Sequence, residues 1–139
     1  MDDADRKILA LLADHGRMSF AAIGKRISLS APAVKRRVDR LEADGVIAGY
    51  QARVDTGQGT EAFLDVFCEG DTSLPTLRAA LTKHPEVLGA YTVAGDAEAI
   101  LHVRCAGMRE LEIVIERLHA EPNIVRTRTQ VVLTKLVER

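Results

Sequence analysis

The sequence predicts an α+β protein in two parts: three short helices, then a sheet domain with its elements in the order β-α-β-β-α-β. Three observations lead there. Apolar residues recur at helical spacing as far as Asp44-Gly45. After Glu61, strand-like runs alternate with two further helical stripes. The joints His84-Pro85-Glu86-Val87 and Glu121-Pro122-Asn123-Ile124 echo each other, each closing a helix on Pro and opening a strand.

The first helix is expected over Asp3–His15, with Ile8, Leu9, Leu11 and Leu12 inward and Asp2, Asp3 and Asp5 suiting its positive end. Gly16 closes it. Ser19 then caps a second helix, Phe20–Ile27, whose Phe20, Ile23 and Ile27 point inward. Gly24 lies in mid-helix, where glycine costs about 1 kcal/mol relative to Ala; it marks the close approach of the next helix in a helix-turn-helix.

That next helix is the centre of the chain. Ser30 is its N-cap, Pro32 sits in a first turn whose N–H groups need no internal partner, and Val34, Val38 and Leu41 form an i, i+4, i+7 stripe. Lys35, Arg36, Arg37 and Arg40 are expected to face away from that stripe. The leading end, Ser30, Ala31, Pro32 and Ala33, is small enough to enter a DNA major groove without holding the helix off the base edges. The formal net charge is −1, which by itself argues against nucleic acid, but six cations against one anion fall between Lys25 and Arg40. A basic patch on one small module, with acids in excess after Glu61, is the footprint of a DNA binder whose remaining mass has another task.

Asp44-Gly45 ends this helix, and Val46–Val54 has the character of a strand. The domain boundaries are set at 1–54 for the helical unit, 55–60 for a glycine-bearing hinge and 61–139 for the sheet unit. In the sheet unit, strands are expected over Ala62–Glu69, Val87–Ala94, Glu98–Cys105 and Asn123–Val137. Helices are expected over Ser73–His84, with Leu74, Leu77 and Leu81 inward, and Gly107–Ala120, with Met108, Leu111, Ile115 and Leu118 inward. With right-handed crossovers this order gives a ferredoxin-like sandwich, two helices on one face of an antiparallel sheet. Phe63, Phe67, Ile100, Val132 and Leu136 fall opposite Leu64, Val66, Leu101, Val103 and Val131. Apolar residues on both faces predict that the uncovered face packs on a second copy, giving a homodimer with two recognition helices.

At 139 residues, 47% hydrophobic and 28% charged, the chain suits one or two small domains. The absence of a long apolar run, and of a signal pattern at Met1-Asp2-Asp3, predicts a soluble cytoplasmic protein with no membrane association. Cys68 and Cys105 lie in apolar runs without CxxC spacing and are expected as buried thiols. His15, His84, His102 and His119 show no ligand spacing, so no metal and no cofactor are expected. No Ser-His-Asp, Cys-His or paired-carboxylate pattern suggests catalysis.

The layout resembles the Lrp/AsnC transcription regulators, also called feast/famine regulators. The resemblance rests on Asp5-Arg6-Lys7-Ile8-Leu9, Gly16-Arg17-Met18-Ser19, Ile23 to Ser30, Arg37 to Ile47, Val93-Ala94-Gly95-Asp96, and Val125-Arg126-Thr127-Arg128-Thr129. It implies a winged helix-turn-helix DNA-binding domain, an effector domain for amino acids or related small molecules, and dimers assembling into tetramers, octamers or larger rings. It also implies an effector site near the Gly95-Asp96-Ala97-Glu98 hairpin, with Thr127 and Thr129 lining it. A Gly-Asp turn offers backbone N–H groups and a carboxylate that suit an amino acid. Ala97 stands where the family commonly has an aromatic residue and Glu98 where it has Asp; Ser28 replaces a common Gly, and Gly24 a common Ala. Two other readings stay open: a tetrapyrrole enzyme resembling the sirohaem decarboxylases, recruiting His102 and Arg104, and an assembly module without DNA binding.

Overall fold

The computed structural model describes residues 1–52, 54 and 57–137. They divide into two compact units, the first over Met1–Val54. In the first unit α1 spans Asp3–Asp14, α2 Phe20–Ile27 and α3 Ala31–Ala43. Ile8, Ile23, Val34, Val38 and Leu41 are buried at its centre, with Leu9, Leu11, Leu12, Met18, Phe20, Ile27, Leu29 and Ile47 around them. Each end has a local cause. Asp2 and Asp5 cap α1 reciprocally, each carboxylate accepting the other's backbone N–H at 2.9 Å. Ser19 Oγ and Ser30 Oγ accept from the N–H groups of Ala22 and Ala33. α1 ends at His15 with ordinary negative φ, so Gly16 is not the left-handed closing residue expected of it. Gly45 does play that role for α3: its φ is 70°, its N–H donates to the Glu42 carbonyl and that of Val46 to the Leu41 carbonyl, the paired bonds of a Schellman end.

The turn between α2 and α3 explains two glycine-related departures together. Ser28 sits at φ 59°, ψ 43°, a left-handed position that glycine occupies without strain. A Cβ on Gly24 would lie 2.3 Å from the Leu29 carbonyl oxygen. The close approach is thus made by the turn leading into α3, not by α3 itself.

The strand expected over Val46–Val54 is not formed: 46–52 and 54 contain none, and Arg53 lies outside the described residues. Val46, Tyr50 and Val54 are all exposed; a strand exists only by pairing, and among the described residues of this unit there is no strand to pair with. Of the hinge, Asp55 and Thr56 also lie outside the described residues.

In the second unit β1 spans Thr60–Cys68, α4 Leu74–Leu81, β2 Val87–Thr92, β3 Ala99–Cys105, α5 Met108–His119 and β4 Ile124–Val131. The strands lie in the order β2-β3-β1-β4, every pair antiparallel, which is the expected sandwich topology. Ala90, Leu101, Leu64 and Thr129 form one row across the helix-covered face. Leu64, Leu101, Val103, Leu111, Val114 and Leu118 are fully buried there, each worth about 1.5–3 kcal/mol against exposure. Both Pro joints close with the same turn, Val87 N–H to the His84 carbonyl and Ile124 N–H to that of Glu121.

Three expectations are corrected. Leu74 and Met108, at the first positions of α4 and α5, are exposed by 62% and 54% because their helices start beyond the edge of the covered face. Val114 takes a core place in α5 instead. β4 stops at Val131, opposite Ala62, because β1 begins at Thr60 and little backbone remains to pair with. Val132 still donates to the Glu61 carbonyl, but Leu136 is 91% exposed and belongs to no sheet face. Cys68 and Cys105 are buried free thiols, as expected. Burial is the leading cause that pushes both thiols above their ordinary pKa.

Candidate nucleic-acid interface and effector site

At about 100° per residue, Arg36 stands about 200° round α3 from Val34, directly opposite the buried stripe. Among the described residues it forms no hydrogen bond or ion pair, and neither do the exposed Lys25 and Arg26 of α2. Lys35 is exposed but held by Asp39 at 2.6 Å, one turn along the same helix. Ser30 and Ala31 place the start of α3, with Pro32 exposed beside them. The helix therefore offers a small leading end and an unpaired guanidinium on its solvent side.

Arg37 departs from the sequence reading. It lies about 60° off the buried stripe on the side of α1, and its Nη1 donates to Asp2 at 2.6 Å and Asp5 at 2.8 Å. Arg40, although half-exposed, donates through Nη2 to both Asp5 oxygens at 3.0 and 3.1 Å. Asp5 is 1% exposed. Its carboxyl is held down at about 2, first by the Asp2 N–H and then by Arg37. The α1 cap and the recognition helix thus share one charged cluster, so Arg37 does not face away from the protein. Sequence reasoning took Asp2 and Asp5 only as favourable charges at a helix start; their three-residue spacing, the mark of a reciprocal cap, was the available signal.

The residues expected to form the effector site gather at one end of the sheet. Gly95 and Asp96 lie in the exposed β2–β3 hairpin, Gly95 at φ 150° with nothing within 4 Å of a would-be Cβ. Glu98 follows, its N–H bonded to the Val66 carbonyl and its carboxylate accepting the Cys68 N–H at 2.9 Å. Thr127 pairs with Val66 from the other side of β1, and Thr129 with Leu64. Thr127 Oγ1 lies 3.0 Å from His119 Nε2. Glu98 is thereby occupied at the end of β1, where the register with β4 shifts between Phe67 and Cys68.

On the uncovered sheet face Phe63 stacks on His102 at 4.9 Å, Arg126 lies 3.7 Å over the Phe67 ring, and Arg128 pairs with buried Asp65. Ile100 and exposed Tyr91 complete it. His102 and Arg104, the residues a tetrapyrrole would recruit, are both bonded to Glu61, at 3.0 and 2.8 Å, and Lys135 joins at 2.9 Å. Burial raises the Glu61 pKa, but these partners outweigh it and hold the carboxyl at about 2.

A helix-turn-helix with a basic solvent face, joined to an antiparallel sheet domain, defines a class of two-part DNA-binding proteins. Residues 1–42 match the AsnC-type helix-turn-helix domain family and residues 61–139 the Lrp/AsnC ligand binding domain family. The chain belongs to the Lrp/AsnC family. It is 48% identical to the HTH-type transcriptional regulator Rv2324 of Mycobacterium tuberculosis, over 100% of this chain and 96% of the relative. It is 38% identical to LrpA of the same organism, over 96% and 90%. A feast or famine regulatory protein of M. tuberculosis complexed with L-methionine superposes with a TM-score of 0.90 at 34% identity, covering 99% of this chain and 95% of that one. These relatives, named as regulators, lend the tetrapyrrole reading no support. Among the described residues no helix is long and apolar enough to cross a membrane.

Proposed function

We propose that this chain is a sequence-specific regulator of transcription that binds double-stranded DNA through α3 and whose binding or assembly responds to an amino acid or related small molecule. The observation that carries it is the position of Arg36, unpaired and opposite the buried stripe, behind the small leading end Ser30-Ala31. Arg36 reaches base edges or phosphates, Lys35 and Arg40 lie alongside the backbone with their charge shared by Asp39 and Asp5, and Arg37 positions α3 through α1. The L-methionine complex of the similar protein supports an amino-acid effector; in this reading it sits at the hairpin, with Gly95, Asp96, Thr127 and Thr129 toward the ligand and Glu98 shaping the loop. The aromatic and half-buried residues of the uncovered sheet face support a homodimer through that face, from which tetramers, octamers or larger rings assemble.

The test is fluorescence anisotropy on DNA upstream of the chain's own gene, with and without a panel of amino acids. Arg36→Ala should weaken binding by about 1–3 kcal/mol. Unchanged affinity would remove α3 as the reading element, and no binding under any condition would favour an assembly module without DNA binding.

A further inference from the structure

Glu61 is the centre of a charged cluster on the uncovered sheet face. Its Oε1 accepts from Arg104 Nε at 2.8 Å and from Lys135 Nζ at 2.9 Å, and its Oε2 lies 3.0 Å from His102 Nε2. The His102 side chain is 27% exposed. Its imidazole also stacks on Phe63, its register partner in β1, with the ring planes 17° apart. From β2 the facing position is Gly89, and the Tyr91 ring folds over that glycine, its hydroxyl 2.5 Å from where a Cβ would stand. Beyond Phe63, β4 presents uncharged Gln130. Further along the face, Asp65 is paired with Arg128, and Arg126 lies over the Phe67 ring.

Imidazole is the side chain that takes up a proton between about pH 8 and pH 5. Arginine and lysine keep their protons across that range, and the Glu61 carboxyl, held at about 2 by its partners, stays ionised. With His102 neutral, Glu61 is set against Arg104 and Lys135, leaving one positive charge in excess; a proton on His102 makes two. β3 is one of the two central strands of the sheet, so His102 stands in the middle of the face. In an isologous dimer through that face, each cluster is enclosed against the same surface of the partner. Two costs then fall on the protonated form alone: the imidazolium loses water, and like charges are brought together across the interface. In a separate copy the imidazolium keeps both its water and Glu61. Pairing therefore favours the neutral ring.

We propose that His102 makes pairing through the uncovered face pH-dependent, the dimer holding two neutral imidazoles and their protonation separating the copies. The proposal rests on the homodimer reading above. Separation also parts the two recognition helices, so a two-fold DNA site is released on acidification.

Sedimentation equilibrium of the full chain at about pH 8 and about pH 5, at equal ionic strength, tests it. The dimer dissociation constant should rise about tenfold or more at the lower pH, and added salt should reverse part of that rise by screening the repulsion. His102→Gln keeps a donor toward Glu61, and His102→Phe keeps the stack on Phe63; in each the rise should shrink to less than about threefold. Should one variant fail to fold, the other decides. A constant equal at the two pH values, or a rise that persists undiminished in the variants, overturns the proposal and leaves the homodimer reading intact. Unfolding at the lower pH, read by circular dichroism, equally overturns it. A chain that is monomeric at about pH 8, or a dimer whose constant Ile100→Glu leaves unchanged, overturns the homodimer reading and the proposal with it.

Discussion

Replacing Gly24 by Ala separates local propensity from packing. In an exposed helix interior the change gains about 1 kcal/mol, since glycine is the poorer helix former by that amount. Here the new Cβ would stand 2.3 Å from the Leu29 carbonyl oxygen, about 0.7 Å inside the 3.0 Å that real Cβ atoms keep. The obstacle is backbone, so no side chain can swing aside. Relief requires moving the Leu29-Ser30 turn, and with it the Leu29 N–H bond to the Gly24 carbonyl at 2.9 Å and the Ser30 cap. Overpacking of this kind costs about 1–3 kcal/mol and a weakened hydrogen bond about 0.5–1.5 kcal/mol more. Set against the propensity gain, Gly24→Ala should lose about 0.5–3.5 kcal/mol, a fall of roughly 3–5 °C in melting temperature per kcal/mol at this chain length. The assay is guanidinium and thermal unfolding of the full chain, followed by circular dichroism, with DNA affinity measured alongside because α3 starts at the displaced turn. Stability equal to or above that of the natural sequence would refute the close-approach account of this glycine.

Ser28→Gly should act in the opposite direction: it removes a left-handed penalty of about 1–2 kcal/mol and returns about 0.5–1 kcal/mol to the unfolded chain, a net gain of about 0.5–1 kcal/mol in the same unfolding experiment. The Asp5 carboxyl is held at about 2 against an ordinary 3.8. Its contribution to stability is therefore complete above about pH 4 and lost as the pH falls toward 2, and Asp5→Asn should flatten that part of the stability profile. A profile as steep as the natural one would show that other carboxyls carry the acid transition. Ile100→Glu places a charge on the uncovered sheet face, and light scattering after gel filtration should find the dimer reduced to a monomer; an unchanged mass would refute pairing through this face.

The sequence was most informative where cause and effect are local. Ser19, Ser30 and Asp44-Gly45 set their helix ends through bonds to residues two to five positions away, Pro32 fits a first turn that needs no N–H from it, and those ends fall where they were expected. The core stripe Val34, Val38 and Leu41 was equally plain. What was missed depends on partners distant in the chain. Arg37 looked solvent-facing because nothing in α3 reveals that Asp5, 32 residues earlier, stands beside it. Glu98 looked available to an effector because its engagement with the Cys68 N–H needs the β1–β3 register. Leu74 and Met108 obey the helical period but begin their helices before the sheet is there to cover them. The strand expected over Val46–Val54 needs a neighbour that its own unit does not supply. Of the candidate DNA-binding residues, the position of Arg36 was legible; the pairing that separates it from Arg37 was not.

The cluster of Asp2, Asp5, Arg37 and Arg40 also changes how the basic module meets a polyanion. Six cations lie between Lys25 and Arg40, but Arg37 and Arg40 are neutralised through α1 and Lys35 by Asp39. Lys25, Arg26 and Arg36 remain to displace ions condensed on a duplex. At about 0.9 released counterions per phosphate neutralised, each copy liberates about three rather than five or six. The entropic, sequence-blind part of its affinity is correspondingly small, and a larger share of binding falls to the shape and hydrogen bonding of the groove it enters.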